Sequence, residues 1–111
     1  MICDPFDVVE VPYPFADPAQ ARRRKALVVS SVEFNARNRS SVLAVLTSVH
    51  GEEWQRDVAL EAWAAAGLRK PCIARMKLFT LPNDLILDRV GVMHEPDRKR
   101  VSKALKKALG V

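Results

Sequence analysis

Apolar and polar positions alternate over residues 6–11. Phe6, Val8 and Glu10 fall on one face of an extended chain, and Asp7, Val9 and Val11 on the other. This period of two predicts a β-strand with at least one buried side. The next stretch, PYPFADPAQARRRK, carries Pro12, Pro14 and Pro18. Proline lacks a donor for a ladder or a helix, so the stretch reads as a loop or a long hairpin connection. A loop of about a dozen residues in a small domain usually carries function. Residues 26–32 are rich in β-branched side chains and read as a second strand. EFNARNRSS is a polar break with room for one helical turn. VLAVLTSV, residues 42–49, is a near-continuous apolar run of strand length, which suits a central strand. HGEEWQR is a second loop, and residues 57–60 form a short edge strand.

The second half alternates less cleanly. EAWAAA, residues 61–66, is helix-prone, with Gly67 as its C′ residue and Pro71 blocking continuation. CIARMKLFTL, residues 72–81, reads as a strand with Arg75 and Lys77 on one face. Residues 82–84 are a turn. Residues 85–92 are short and apolar, a strand or a helical turn. After Pro96, the residues Val101, Ala104, Leu105, Ala108 and Leu109 fall on one helical stripe. Pro96 and Asp97 suit the first turn of that helix, and Lys106 and Lys107 suit the negative end of its dipole. Several short strands and one C-terminal amphipathic helix predict a mainly β fold: a small antiparallel sheet or barrel closed by a helix. With no internal repeat or low-complexity linker, residues 1–111 are expected to form one domain.

Charge sharpens this picture. The chain carries a net charge of +5, which favours an anionic partner. Arg22, Arg23, Arg24 and Lys25 stand together directly before the apolar run that begins at Ala26. Such a cluster repels itself unless something anionic visits it. No stretch approaches the ~20 apolar residues of a membrane span, and the N-terminus lacks the pattern of a signal peptide. Cys3 and Cys72 are the only two cysteines, far apart and without metal-ligand spacing. They read as reduced thiols of a cytoplasmic protein with no disulfide, metal or cofactor.

The segments FDVVEVPYPFAD, RRRKALVVSS, VLAVLTS, GLRKPCIARMKLFTL and RVGVM, in this order, resemble the MazF/PemK toxins of type II toxin–antitoxin systems. The likeness runs from about Phe6 to Leu109. It implies an SH3-like barrel with a C-terminal helix, a homodimer, and a metal-independent endoribonuclease held in check by a cognate antitoxin. In that family the arginine before Pro-Ala-Leu-Val and the threonine of the apolar-Thr-Ser motif are held responsible for cleavage. Their counterparts are Arg24 and Thr47. Three positions depart from the family's pattern. Lys25 replaces the proline, Phe6 replaces the opening glycine, and Met76 and Lys77 occupy a region where an acidic residue is often found.

Metal-free RNA cleavage uses the substrate's own 2′-OH as nucleophile, leaving a 2′,3′-cyclic phosphate and a 5′-OH. The protein must hold the in-line geometry and stabilise charge on the phosphorane oxygens. A guanidinium suits this because its planar fork stays charged and binds phosphate through two N–H groups. Arg22, Arg23, Lys25, Ser48, Arg75 and Lys77 are expected to bind single-stranded RNA. Tyr13 and Phe15, aromatics of the proline-rich loop, are expected to stack on bases. His50 reads first as a solvated loop histidine, and Glu52 and Glu53 as a solvated turn. Trp54 and Trp63 are expected to be partly buried. The competing interpretation is a non-catalytic barrel that acts by binding a protein, as gyrase-poisoning relatives of similar fold do, or an inactive relative of the toxins. A DNA-binding regulator fits less well, because no helix-turn-helix pattern is visible.

Overall fold

Among the described residues six antiparallel strands form one curled sheet in the order β4-β5-β3-β2-β1-β6. They are β1 (Asp7–Tyr13), β2 (Arg22–Val28), β3 (Ser40–Ser48), β4 (Val58–Ala59), β5 (Cys72–Pro82) and β6 (Asp88–Val92). Helix α1 (Val32–Asn38) joins β2 to β3, and helix α2 (Asp97–Leu109) closes the chain. The computed structural model describes residues 1–13, 22–49 and 51–111. No helix among them is long and apolar enough to cross a membrane.

The sheet buries both faces, which is why valines of β1 point to both sides: Val8 to one, Val9 and Val11 to the other. Val8 packs with Leu27, Ala44, Leu46 and Ala74, and this core continues to Val101 and Ala104 of α2. Val9 and Val11 face the other way, into a second core with Ala26, Val28, Leu43, Leu81 and Ile86. Strand alternation sorts neighbouring residues into different cores. Cys3 and Cys72 are both buried and free. Burial pushes each thiol's pKa up, which makes it a poor nucleophile.

Two irregularities shape the sheet. The β3–β5 ladder shifts between Ala44, opposite Leu78, and Val45, opposite Arg75. The extra residues Met76 and Lys77 bulge out of β5. A bulge bends its strand and re-aims the side chains around it. The β1–β6 ladder shifts between Val8 and Val9. There β6 crosses the 61–68 connection at very close range. A Cβ on Gly91 would lie 2.0 Å from the Ala66 carbonyl oxygen, and one on Gly67 would lie 2.3 Å from that of Val90. Only a pair of glycines lets these two backbones meet.

Several elements differ from the sequence expectations. The cations 22–25 belong to β2, paired with residues 10–13 of β1, and are not loop residues. Pro12 is tolerated within β1 because β6 pairs with that strand only as far as Glu10, leaving one side of Pro12 outside the ladder. Residues 61–66 form turns instead of a helix. Six residues are too few to nucleate one alone; the buried Asp97 carboxylate accepts from the Glu61 and Ala62 N–H groups at 2.9 Å each, and the segment continues as turns. Gly67 does take a left-handed φ of 89°, but it ends a turn there. Helix α1 is longer than one turn, capped by the Ser31 hydroxyl, which accepts from the Phe34 N–H at 3.1 Å. Residues 83–85 form a 3₁₀ turn before β6. The stripe of α2 is buried only in its first half: Val101 and Ala104 reach the core, while Leu109 is 58% exposed.

Candidate active site

Strand alternation divides the four clustered cations. Arg22 lies opposite Tyr13 and Arg24 opposite Val11, on one face of the β1–β2 hairpin. Arg23 and Lys25 alternate to the other face, where Lys25 lies opposite Glu10, although Lys25 also contributes to the lining of the groove on the Arg24 side. The Glu10 carboxylate accepts from Arg23 Nη1 at 3.1 Å and faces Lys25 Nζ at 3.6 Å. The hydrogen bond from Arg23 holds Glu10 below the usual carboxylate range; burial opposes it, and the charges of Lys25 and Arg23 add to it. Lys25, standing where the family's proline would be, thus has a cross-strand partner.

A groove of about 300 Å³ opens on the Arg24 face. Its walls are Tyr13 of β1, Arg24 and Lys25 of β2, Val45 and Thr47 of β3, Arg75, Lys77 and Phe79 of β5, and Glu52 and Trp54 of the β3–β4 connection. The floor is apolar, with Val11, Val45 and the Tyr13–Phe79 ring pair, whose centroids are 5.2 Å apart. Four of the lining residues are cations and one, Glu52, is a carboxylate. An elongated anion with flat apolar groups matches that combination. Among the described residues no group of three His, Cys, Asp or Glu side chains could hold a metal.

The groove's two arginines have different surroundings. Arg75 is clasped: Nη2 and Nε donate to the two Asp57 carboxylate oxygens at 3.0 and 3.2 Å, and Nη2 donates to the Glu52 carbonyl at 2.9 Å. Its guanidinium stacks 5.4 Å from the Trp54 ring centroid. Trp54 is held in turn, its indole N–H on the Glu52 carboxylate at 2.8 Å and its backbone N–H on Asp57 at 3.0 Å. Burial alone would raise the Asp57 pKa, but the hydrogen bonds from Arg75 and the Trp54 N–H, with the Arg75 charge, hold it below the usual range. The Asp57 hydrogen bond raises Arg75 correspondingly. Arg24, by contrast, is exposed and has no hydrogen-bond or ion-pair partner among the described residues. Lys77 Nζ stands between two rings, 5.6 Å from the Tyr13 centroid and 5.8 Å from that of Trp54.

The fold therefore brings together Arg24, Thr47, Lys25, Tyr13, Arg75 and Lys77. Arg22 shares the Arg24 face of β2 but is not part of the wall, and Arg23 is turned to Glu10. Ser48 follows Thr47 on β3 and alternates to the opposite face. Phe15 and His50 lie outside the described residues. Glu52, expected to be a solvated turn residue, is a wall residue that also carries Trp54. Trp54 itself is 37% exposed, and its partners explain why. Phe79 could have been found from the sequence, since it continues the Arg75–Lys77 spacing of two. Trp54 and Asp57 could not, because their places depend on contact with β5. Phe6, at the family's glycine position, takes a left-handed φ of 71°, and the Arg98 guanidinium lies 5.1 Å from its ring centroid.

The family model described as PemK-like, MazF-like toxin of type II toxin–antitoxin system matches residues 4–109. No curated protein matches the sequence. Several solved structures share the fold. One is described as an endoribonuclease in complex with its cognate antitoxin from Mycobacterial species; it is 19% identical, with 98% of this chain and 96% of that chain covered and a TM-score of 0.79. A MazE–MazF structure from Deinococcus radiodurans (Form-III) is 19% identical over 100% of this chain and 99% of that chain, TM-score 0.79. MazF from the same organism (Form-I) is 20% identical over 100% and 99% of the two chains, TM-score 0.77. At these identities the structures speak for the fold, while the family model spans nearly the whole sequence. The chain belongs to the PemK-like, MazF-like toxin family of type II toxin–antitoxin systems.

Proposed function

We propose that this chain is an endoribonuclease that cleaves single-stranded RNA without a metal ion, and that a cognate antitoxin silences it. The observation that carries this reading is the pairing of Arg24, free of partners among the described residues, with Thr47 on one groove wall. In the proposed reaction the 2′-hydroxyl oxygen bonds to phosphorus as the bond to O5′ breaks. The 2′ proton leaves to water and O5′ takes up another. Arg24 binds the non-bridging oxygens as their negative charge builds, and the Thr47 hydroxyl orients the 2′-OH or donates to the same oxygens. Tyr13 and the apolar floor support bases beside the scissile phosphate. Lys25 and Lys77 add attraction for the backbone. Arg75 acts mainly by holding the 52–57 loop in place.

The similar structure described as a complex with its cognate antitoxin also bears on the partner. A short acidic, partly apolar segment fits the same groove, because its cations outnumber its carboxylates. Such a segment would order on binding and block RNA. A C2 homodimer with the groove near its interface is part of the proposal.

The decisive experiment incubates purified protein with long single-stranded RNA, with and without EDTA, and analyses the ends. Fragments with a 2′,3′-cyclic phosphate and a 5′-OH, formed equally in EDTA, are expected. Intact RNA at high enzyme concentration would instead favour the protein-binding reading.

A further inference from the structure

Behind the groove, α2 and the end of the 52–57 loop enclose a second cleft. Arg100, Lys103 and Lys107 line it from α2, and Arg56 lines it from the loop. Their spacing of three and four residues puts the three helix cations on one face. Arg100 is committed to the fold: its Nη1 donates to the Ala59 carbonyl at 2.8 Å and to Asp97 at 3.3 Å. Arg56, Lys103 and Lys107 are exposed, and no acceptor engages them among the described residues. Arg56 also holds a left-handed φ of 72°, a conformation that disfavours a non-glycine residue. Among the described residues the one carboxylate in the lining is Asp57, and both its oxygens are already taken by Arg75 and the Trp54 N–H.

Asp57 therefore forms a wall of the cleft while its carboxylate anchors a wall of the groove. Residues of one short segment, 52–57, line both sites, so a strand leaving the groove along that segment meets the cleft. We propose that this cleft is a second, sequence-independent site for the RNA phosphate backbone, holding nucleotides that flank the segment in the groove. The inference rests on the ribonuclease reading and adds a site to it. Nucleic acid suits the cleft better than a peptide does. Among the described residues, Val58 and Ala104 are its only apolar lining and no aromatic ring lines it, so there is little to seat an apolar side chain. Repeated phosphates need only spaced cations.

The test measures binding of uncleavable 2′-O-methyl RNA to the full chain over a range of salt. A short oligomer of about 5 nucleotides fills only the groove, whereas one of about 20 can reach the cleft. The triple variant Arg56→Ala, Lys103→Ala, Lys107→Ala should weaken binding of the long oligomer about 10-fold or more. The slope of log K against log salt should become shallower by about 2, since each phosphate contact to a single strand contributes about 0.7. Binding of the short oligomer should change little. A control with the same change in charge, Arg37→Ala, Arg69→Ala, Lys70→Ala, should leave the long-oligomer slope nearly intact. Lys103→Glu alone, at an exposed helix position, should move long-oligomer binding in the same direction as the triple variant. Equal losses for short and long oligomers, or a control that matches the triple variant, would overturn the proposal and leave only long-range attraction. A triple variant that keeps the parent's RNA binding but loses binding of poly-glutamate would overturn it in favour of an acidic protein segment. A parent that cuts RNA while the triple variant keeps the full slope removes the cleft alone. A parent that neither binds nor cuts RNA removes the ribonuclease reading and the cleft together.

Discussion

Arg24 and Arg75 line the same groove from opposite sides, yet their chemistry differs. Arg75 is mostly buried, with its fork closed on Asp57, its plane against Trp54 and a further donor on the Glu52 carbonyl. Arg24 extends from a strand whose next residues, Ala26, Leu27 and Val28, are fully buried. Its base is therefore rigid while its guanidinium is open. The first arginine organises a loop, and the second is available to a ligand. A cation's sequence position or its presence in a groove does not distinguish these roles; the carboxylates within reach of its fork do.

The largest test of this contrast is Arg24→Ala. The saturated cleavage rate should fall about 10²-fold or more, as when a transition-state donor is lost, with the fold unchanged by circular dichroism. Arg24→Lys should restore little, because an ammonium cannot reproduce the bidentate fork. Full activity in the alanine variant would move the catalytic role elsewhere.

Arg75→Ala should act on stability first. It leaves the Asp57 carboxylate mostly buried without its partner, so urea unfolding should report a loss of about 1–3 kcal/mol. The double change Arg75→Ala, Asp57→Ala should lose less than the sum of the single changes. Equal effects of Arg24→Ala and Arg75→Ala on the saturated rate, with no loss of stability from the latter, would erase the distinction.

The same pair sets a pH dependence. Asp57 is held below its ordinary pKa in the folded protein. Its stabilising contribution is therefore fully present above about pH 4, the ordinary aspartate value, and is lost as pH falls through the lower folded value. Asp57→Asn should flatten that part of an acid-unfolding curve, and a curve identical to the parent's would contradict the assignment.

The smallest effects belong to the outer cations. Arg23→Ala breaks an exposed bridge to Glu10 and should cost less than about 1 kcal/mol, with little change in the saturated rate. Arg22→Ala should weaken RNA binding and reduce the salt slope by about 0.7. A large rate loss from Arg23→Ala would place catalysis on the opposite face of the hairpin.

Much of the fold was legible because it rests on local patterns. The valines of β1, the apolar run of β3, the β5 spacing and the stripe that opens α2 all mark buried faces. The failures share a cause. Residues 61–66 have helical composition, but they are few, and the close glycine crossing with β6 constrains their path. Arg22–Lys25 follow three prolines in the sequence, but pairing with β1 draws them into a strand. The site was legible in part. Arg24, Thr47, Tyr13, Arg75 and Lys77 were candidates from the chain, while Trp54 and Asp57 became visible only once the loop met β5.

By itself the sequence determined that the protein is mainly β, basic, and built around a cluster of cations set against a buried strand. Composition and period are properties of neighbouring residues, and burial follows from them wherever a regular element forms. Which of the clustered cations are paired among the described residues was decided by the tertiary structure alone. Strand alternation sends Arg23 and Arg24 to opposite faces, register places Glu10 against Lys25, and a turn some twenty residues before Arg75 delivers Asp57 to its guanidinium. Charge acts through space and falls off with distance, so the state of each arginine depends on partners that the chain brings close only by folding.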